Sequence, residues 1–163
     1  MKSLYFLIAP VLASALAGCA VAVAPQYAEP TSGDTASLTF AKSDHFLVLP
    51  SIFGNASECM DRNRLPAIPD DGELTRKVVA GQPLSISLLR AQDYFSEACT
   101  RIVTFTPVSG HHYTALIKGH RNECHVELSD GESSSDGLMH QPVQHVDRKI
   151  LRPFLENGAF CTE

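Results

Sequence analysis

Positive charge is scarce in this sequence. Its 13 lysines and arginines stand against 18 aspartates and glutamates, a formal net charge of −5. Nucleic-acid binding requires a basic face and an electrostatic lipid patch requires a basic cluster, so the overall balance argues against both. The apolar segment Leu4 to Leu16, up to the small residues that end it, counts roughly 13, short of the roughly 20 a helix needs to cross about 30 Å of hydrocarbon. There is no C-x-x-C pair, so a cysteine zinc site lacks its usual spacing. There is no G-x-S-x-G elbow either, which removes the strand–turn–helix serine nucleophile. No internal repeat is visible.

What the chain does carry, first, is an address. Lys2 is followed by the uncharged stretch Leu4 to Leu16 and then by small residues, the layout of a secretory signal. Leu16-Ala17-Gly18-Cys19 resembles the lipobox of bacterial lipoproteins. The resemblance implies cleavage before Cys19 and acylation of that cysteine as the first residue of the mature protein. A single acyl chain anchors only reversibly; the lipoprotein pathway implies a diacylglycerol together with an amide-linked chain. Ala20 stands where an aspartate would signal inner-membrane retention, so the resemblance implies the outer membrane, with the domain facing the periplasm. An ordinary signal peptide with a chance cysteine is the competing reading. On the lipoprotein reading, residues 1–18 are the signal peptide and residues 35–163 the periplasmic domain. Residues 19–34, with Pro25, Pro30 and Gly33, form a lipidated N-terminus and flexible tether.

Assigning Cys19 to the lipid makes sense of an odd cysteine count. Of the 5 cysteines, Cys59, Cys99, Cys124 and Cys161 remain, and an even set in an oxidising compartment reads as two disulfides. Three pairings are open. Order along the chain favours Cys59–Cys99 with Cys124–Cys161.

From Thr35 onward the pattern is that of short strands. Ala36, Leu38 and Phe40 alternate with Ser37 and Thr39; a second run from His45 to Leu49 is stopped by Pro50; residues 51–69 read as irregular. Thr75 to Ala80 and Leu84 to Leu89 flank Gly81-Gln82-Pro83 and predict a hairpin, with Ser85 and Ser87 on its wet face. Gln92 to Ala98 could hold a helical turn. Arg101–Thr106, His112–Lys118 and Glu123–Leu128 predict a three-stranded meander, with Cys124, Val126 and Leu128 facing the core. Ser129 to Gly137 reads as a loop, and a short strand is expected near Val143–Arg148 before an irregular tail. The sum is an all-β, antiparallel β-sandwich, Ig-like or transthyretin-like, stapled by disulfides; a small β-barrel is the alternative. Phe105-x-Pro107-x-x-Gly110-x-x-Tyr113, after Ala80-Gly81-Gln82-Pro83-Leu84 and before Cys124, resembles uncharacterised proteobacterial β-sandwich lipoproteins.

Candidate chemistry is thin, and no catalytic constellation and no cofactor are expected. His111, His112, His120 and His125 lie close in sequence, with His112 and His125 as the candidates for a shared zinc or copper. Neighbouring residues on a strand face apart, so solvated histidines are the expectation. Ser109 beside His111 has the order of a nucleophile and its base, but a turn serine is the ordinary reading. Asp70-Asp71, between Pro69 and Gly72, reads as a solvated turn. Ser109-Gly110-His111-His112-Tyr113 followed by Lys118-Gly119 resembles the signature of the membrane-bound inhibitors of C-type lysozyme, with a shorter Tyr-to-Lys spacing and a longer chain. That resemblance implies Ser109, Tyr113 and Lys118 as binding residues. The functional expectation is a non-catalytic module that binds another envelope protein. A lysozyme-type inhibitor and a periplasmic metal binder are the alternatives.

Overall fold

Period-two burial sets the first strand: β1 (Thr35–Lys42) buries Ala36, Leu38 and Phe40 and leaves Ser37 and Thr39 half-buried on the other face. The computed structural model describes residues 23–70, 72–91, 98–120, 123–134 and 137–162, with the side chains of 132–140 outside the description. Cys19 and the lipobox, and all but the last residue of the Gln92–Ala98 turn, therefore lie outside the described residues.

Two five-stranded sheets face each other. Sheet I runs β4 (Leu74–Val79), β1, β7 (His112–His120), β8 (Glu123–Ser134), β9 (Gly137–Pro142). Sheet II runs β10 (Val146–Asp147), β6 (Ala98–Phe105), β5 (Leu84–Ala91), β2 (Leu47–Asn55), β3 (Met60–Arg64). A short pair, β11 (Lys149–Ile150) with β12 (Cys161–Thr162), belongs to neither. Among the described residues the strands of the two sheets pair antiparallel except β1 with β7, which is parallel. Leu38, Phe40, Val78 and Ile117 from sheet I meet Val48, Ile86, Leu88 and Val103 from sheet II in one core. Each such apolar side chain contributes roughly 1.5–3 kcal/mol by leaving water. The fold is the expected all-β sandwich; the sheets end in separate edges, so the alternative closed barrel does not form.

Several strands pair differently from the sequence expectation. The supposed hairpin is an inter-sheet arch: β4 joins β1 in sheet I, whereas β5 lies between β2 and β6 in sheet II. Gly81, at φ +80°, donates its N–H to the Pro107 carbonyl, and Ala80 donates to Asp34, so the turn is tied across the sandwich. The meander is likewise broken after β6. Gly110 (φ +81°) donates to the Thr35 carbonyl and Ser37 to that of His111, seating β7 beside β1. Of the hairpins expected from sequence, β7–β8 forms, and Cys124, Val126 and Leu128 are buried on its inner face. Pro50 does not stop β2. Having no N–H, it sits opposite Leu88 and offers only its carbonyl, which accepts from Leu65 N–H at 3.1 Å. Ser129 to Ser134 and Gly137 are strand rather than loop, because β8 and β9 continue the ladder from Ser129↔Pro142 to Ser134↔Gly137; the two residues between them lie outside the described residues.

Part of the presumed tether is docked. Ala24 is buried, and Tyr27 packs on the core and donates its hydroxyl to the Lys77 carbonyl at 2.9 Å. Reciprocal bonds join Tyr27 N–H to Arg64 O and Arg64 N–H to Pro25 O, so this segment continues the free edge of β3. The docked segment covers what would otherwise be an open sheet edge.

The disulfides correct the expected pairing: Cys59 joins Cys161 and Cys99 joins Cys124, with Cα atoms 5.3 and 6.1 Å apart. Cys99 at the start of β6 and Cys124 at the start of β8 face each other between the sheets, so their bond crosses the core. Cys59, in the β2–β3 turn, lies on the outer side of sheet II in a second cluster with Phe53, Ile102 and Cys161, which Ile150 and Phe160 cover.

The β7–β8 turn imposes a strict requirement at Gly119. Its φ is +157°, and an added Cβ would overlap the Glu123 carbonyl oxygen and lie 2.6 Å from Cys124 Cα. Gly119→Ala is expected to destabilise the fold by about 1–3 kcal/mol, read as a lowered urea midpoint with unchanged slope. Ala for Gly within a strand ordinarily stabilises, so a raised midpoint would refute the close approach.

Candidate functional site

The concavity with most chemical character lies on the outer face of sheet II. Strand parity places Leu49, Ser51 and Phe53 of β2, Arg62 and Arg64 of β3, and Leu89 of β5 on this face. The returning tail, from Ile150 to Pro153 and at Phe160, forms the opposite wall, enclosing about 660 Å³. That volume falls in the range of small-ligand sites. The floor is largely aliphatic. Ser51 and Ser87, paired across β2 and β5, are the small polar residues lining that floor.

The rim is cationic. Arg62 lies 4.8 Å from the Phe160 ring centroid and pairs with Glu156, while its buried Nε has no partner among the described residues. Arg64 donates Nε–H to the Ala24 carbonyl at 2.9 Å, holding the docked N-terminal segment against the groove. Arg152 is exposed on the tail and makes no ion pair among the described residues. Sequence reasoning missed this site because it took residues 51–69 as irregular. The readable signal was the two-residue spacing of Arg62 and Arg64, which puts both guanidinium groups on one face of an edge strand.

A second concavity, of about 850 Å³, covers the outer face of sheet I, where Thr39, Thr114 and Leu116 face the segment carrying Val143 and His145. It mixes hydroxyl, aliphatic and imidazole groups.

The residues singled out from sequence are dispersed. Ser109 is exposed in the β6–β7 turn. Tyr113 is only 3% exposed, inside the sandwich, with its ring 5.2 Å from Phe105 and its phenol oxygen accepting from Val108 N–H. Burial pushes its phenol above the ordinary value; the Val108 bond opposes this and Asp130 adds to it. Lys118 points outward about 17 Å further along the strand and pairs with Glu127 at 2.7 Å. The structure thus does not bring Ser109, Tyr113 and Lys118 onto one surface. The hydrogen bond from Lys118 is the main cause holding the Glu127 carboxyl below its ordinary value, and His125 adds a contact at 3.4 Å.

Nor are His112 and His125 neighbours. His125 stands opposite Lys118, six positions from His112, a separation of about 20 Å along the ladder. Among the described residues no three His, Cys, Asp or Glu side chains converge as a metal site would need. His111 Nδ1 lies 2.6 Å from Asp130 Oδ2, an orienting pair, but Ser109 makes no hydrogen bond to that imidazole among the described residues.

No family model, curated protein or solved structure matches this chain. The functional reading therefore rests on its own residues. No helix among the described residues is long and apolar enough to cross a membrane.

Proposed function

We propose that the chain is an outer-membrane lipoprotein, acylated at Cys19, that presents its disulfide-stapled sandwich to the periplasm and acts by binding an envelope protein without catalysis. The observation that carries this reading is the cysteine pairing. Two disulfides take Cys59, Cys99, Cys124 and Cys161, which leaves Cys19 of the lipobox-like sequence without a cysteine partner in the chain. Stable disulfides suit an oxidising compartment, and the tetrapeptide supplies the lipidation chemistry. What supports a binding role is the broad concavity on the outer face of sheet I, which leaves polar and aliphatic groups side by side and open to a partner.

One experiment in intact cells tests both halves. Wild-type protein is expected in the outer-membrane fraction with a mass increased by the acyl groups, and Cys19→Ala protein outside it. A photocrosslinking residue at Thr114 is expected to give one discrete adduct in the wild-type background, and one at buried Val126 none. Cys19→Ala protein retained in the membrane would end the lipoprotein assignment. Identical crosslinking from Thr114 and Val126 would end the binding assignment.

A further inference from the structure

We infer that the arginine-rimmed groove on sheet II and the adjoining tail, residues 151–155, form a site for anionic phospholipid, with Phe154 and Leu155 entering the bilayer interface. The inference uses the Cys19 anchor to choose the bilayer as the occupant, so it rests on the lipoprotein reading. Its own support comes from three observations.

The first is exposure. Phe154 is 102% and Leu155 62% exposed, with Leu151 also open, all on the segment whose Arg152 and Pro153 line the groove. Scattered apolar residues on a surface need no explanation, but an adjacent aromatic–aliphatic pair beside a cation has the composition of an interfacial anchor. The second is charge. The chain is acidic overall, yet Arg62, Arg64 and Arg152 converge on one groove, with Glu156 as the acid paired there among the described residues. Net charge averages this concentration away. Guanidinium groups match phosphate oxygens in a fork, and the aliphatic floor with Leu49 and Leu89 suits an acyl chain. The third is reach. Ala24 is fixed to groove-lining Arg64. The five residue steps back to Cys19 span at most about 18 Å. A lipid on Cys19 therefore keeps the groove close to the headgroups, because the segment beyond residue 24 is docked rather than free.

The absence of tryptophan supplies the test. Phe154→Trp introduces a sole indole at a fully exposed position, where the fold does not depend on the ring. The full-length processed variant is mixed with vesicles of phosphatidylethanolamine and phosphatidylglycerol, or of phosphatidylcholine, each carrying brominated acyl chains. Blue-shifted, strongly quenched emission is expected with phosphatidylglycerol. Adding Arg152→Glu is expected to lower the inserted fraction at least about fivefold. An indole at Val79, exposed on sheet I, is expected to stay unquenched. Flotation on phosphatidylcholine, with the N-terminal mass, reads the anchor separately. A floating, lipidated protein whose Trp at 154 is unquenched on phosphatidylglycerol overturns this inference and leaves the anchor standing. Quenching by protein that carries no lipid overturns the anchor and leaves the groove standing. Equal quenching in both lipids, unmoved by Arg152→Glu, overturns the role of the arginines and with it the proposed site.

Discussion

Replacing Cys59 and Cys161 together by serine will lower the stability of the fold by about 4–5 kcal/mol, the larger of the two disulfide effects. The bond spans 102 residues of sequence, against 25 for Cys99–Cys124. Loop entropy alone gives about 4.7 kcal/mol for the long closure and about 3.5 for the short one. The short loop lies inside the long one, which shortens the effective closure while both are intact; the correction is only about 0.2 kcal/mol because the dependence is logarithmic. Packing acts in the same direction. Cys161 holds Phe160 and Ile150 over Phe53 and Ile102, so losing the bond also frees the cover of an apolar cluster. Urea unfolding of the two double variants checks the order, and a non-reducing peptide map checks the connectivity. A Cys99→Ser/Cys124→Ser variant that is less stable than Cys59→Ser/Cys161→Ser would show that the outer bond is not the main covalent brace.

Burial periodicity was legible in the residues and strand partnership was not. Ala36, Leu38 and Phe40, and again Cys124, Val126 and Leu128, announce their inward faces through local alternation, and the structure buries all of them. Which strand lies beside which is a non-local matter. Thr75–Ala80 and Leu84–Leu89 look like a hairpin because Gly81-Gln82-Pro83 can turn the chain, yet the same turn serves equally to carry it from one sheet to the other. Ser85 and Ser87 read as a wet face by chemistry. They are buried because Ser85 bonds to the Ala56 carbonyl and Thr104, and because the distant tail returns over the sheet beside Ser87. The groove was invisible for the same reason: Arg62 and Arg64 become a rim only when Arg152, some ninety residues later, closes the other side. Cysteine pairing failed likewise, since order along the chain says nothing of which side of a sheet each thiol faces.

Parity does, however, expose one residue that composition would place outside. Leu84, Ile86 and Leu88 point inward, and the next inward position on β5 is Arg90, whose side chain is 1% exposed. Its charge is held by Asp44, with Nε and Nη2 3.1 and 2.8 Å from the same carboxylate oxygen, and its guanidinium carbon lies 3.6 Å from the Phe46 ring centroid. Asp44 also accepts the Phe46 N–H at 3.1 Å, so a single carboxylate orders both the ring and the cation above it. The pair is asymmetric, because the Asp44 side chain is 26% exposed and can turn to water while Arg90 cannot. Removing the acid should therefore cost more than removing the base. Asp44→Ala is expected to destabilise by about 3 kcal/mol, the lower end for breaking a buried pair, since Arg90 keeps its other contacts. Arg90→Met exchanges the buried cation for an apolar chain and leaves a carboxylate that water can reach, so it should cost less, about 1 kcal/mol. Once methionine is present the carboxylate has no buried charge to neutralise, so the double variant should lie close to Arg90→Met. The resulting coupling is about 2–3 kcal/mol. Denaturant unfolding of the four proteins measures it, and equal, additive losses would mean that Asp44 does not neutralise Arg90 in the interior.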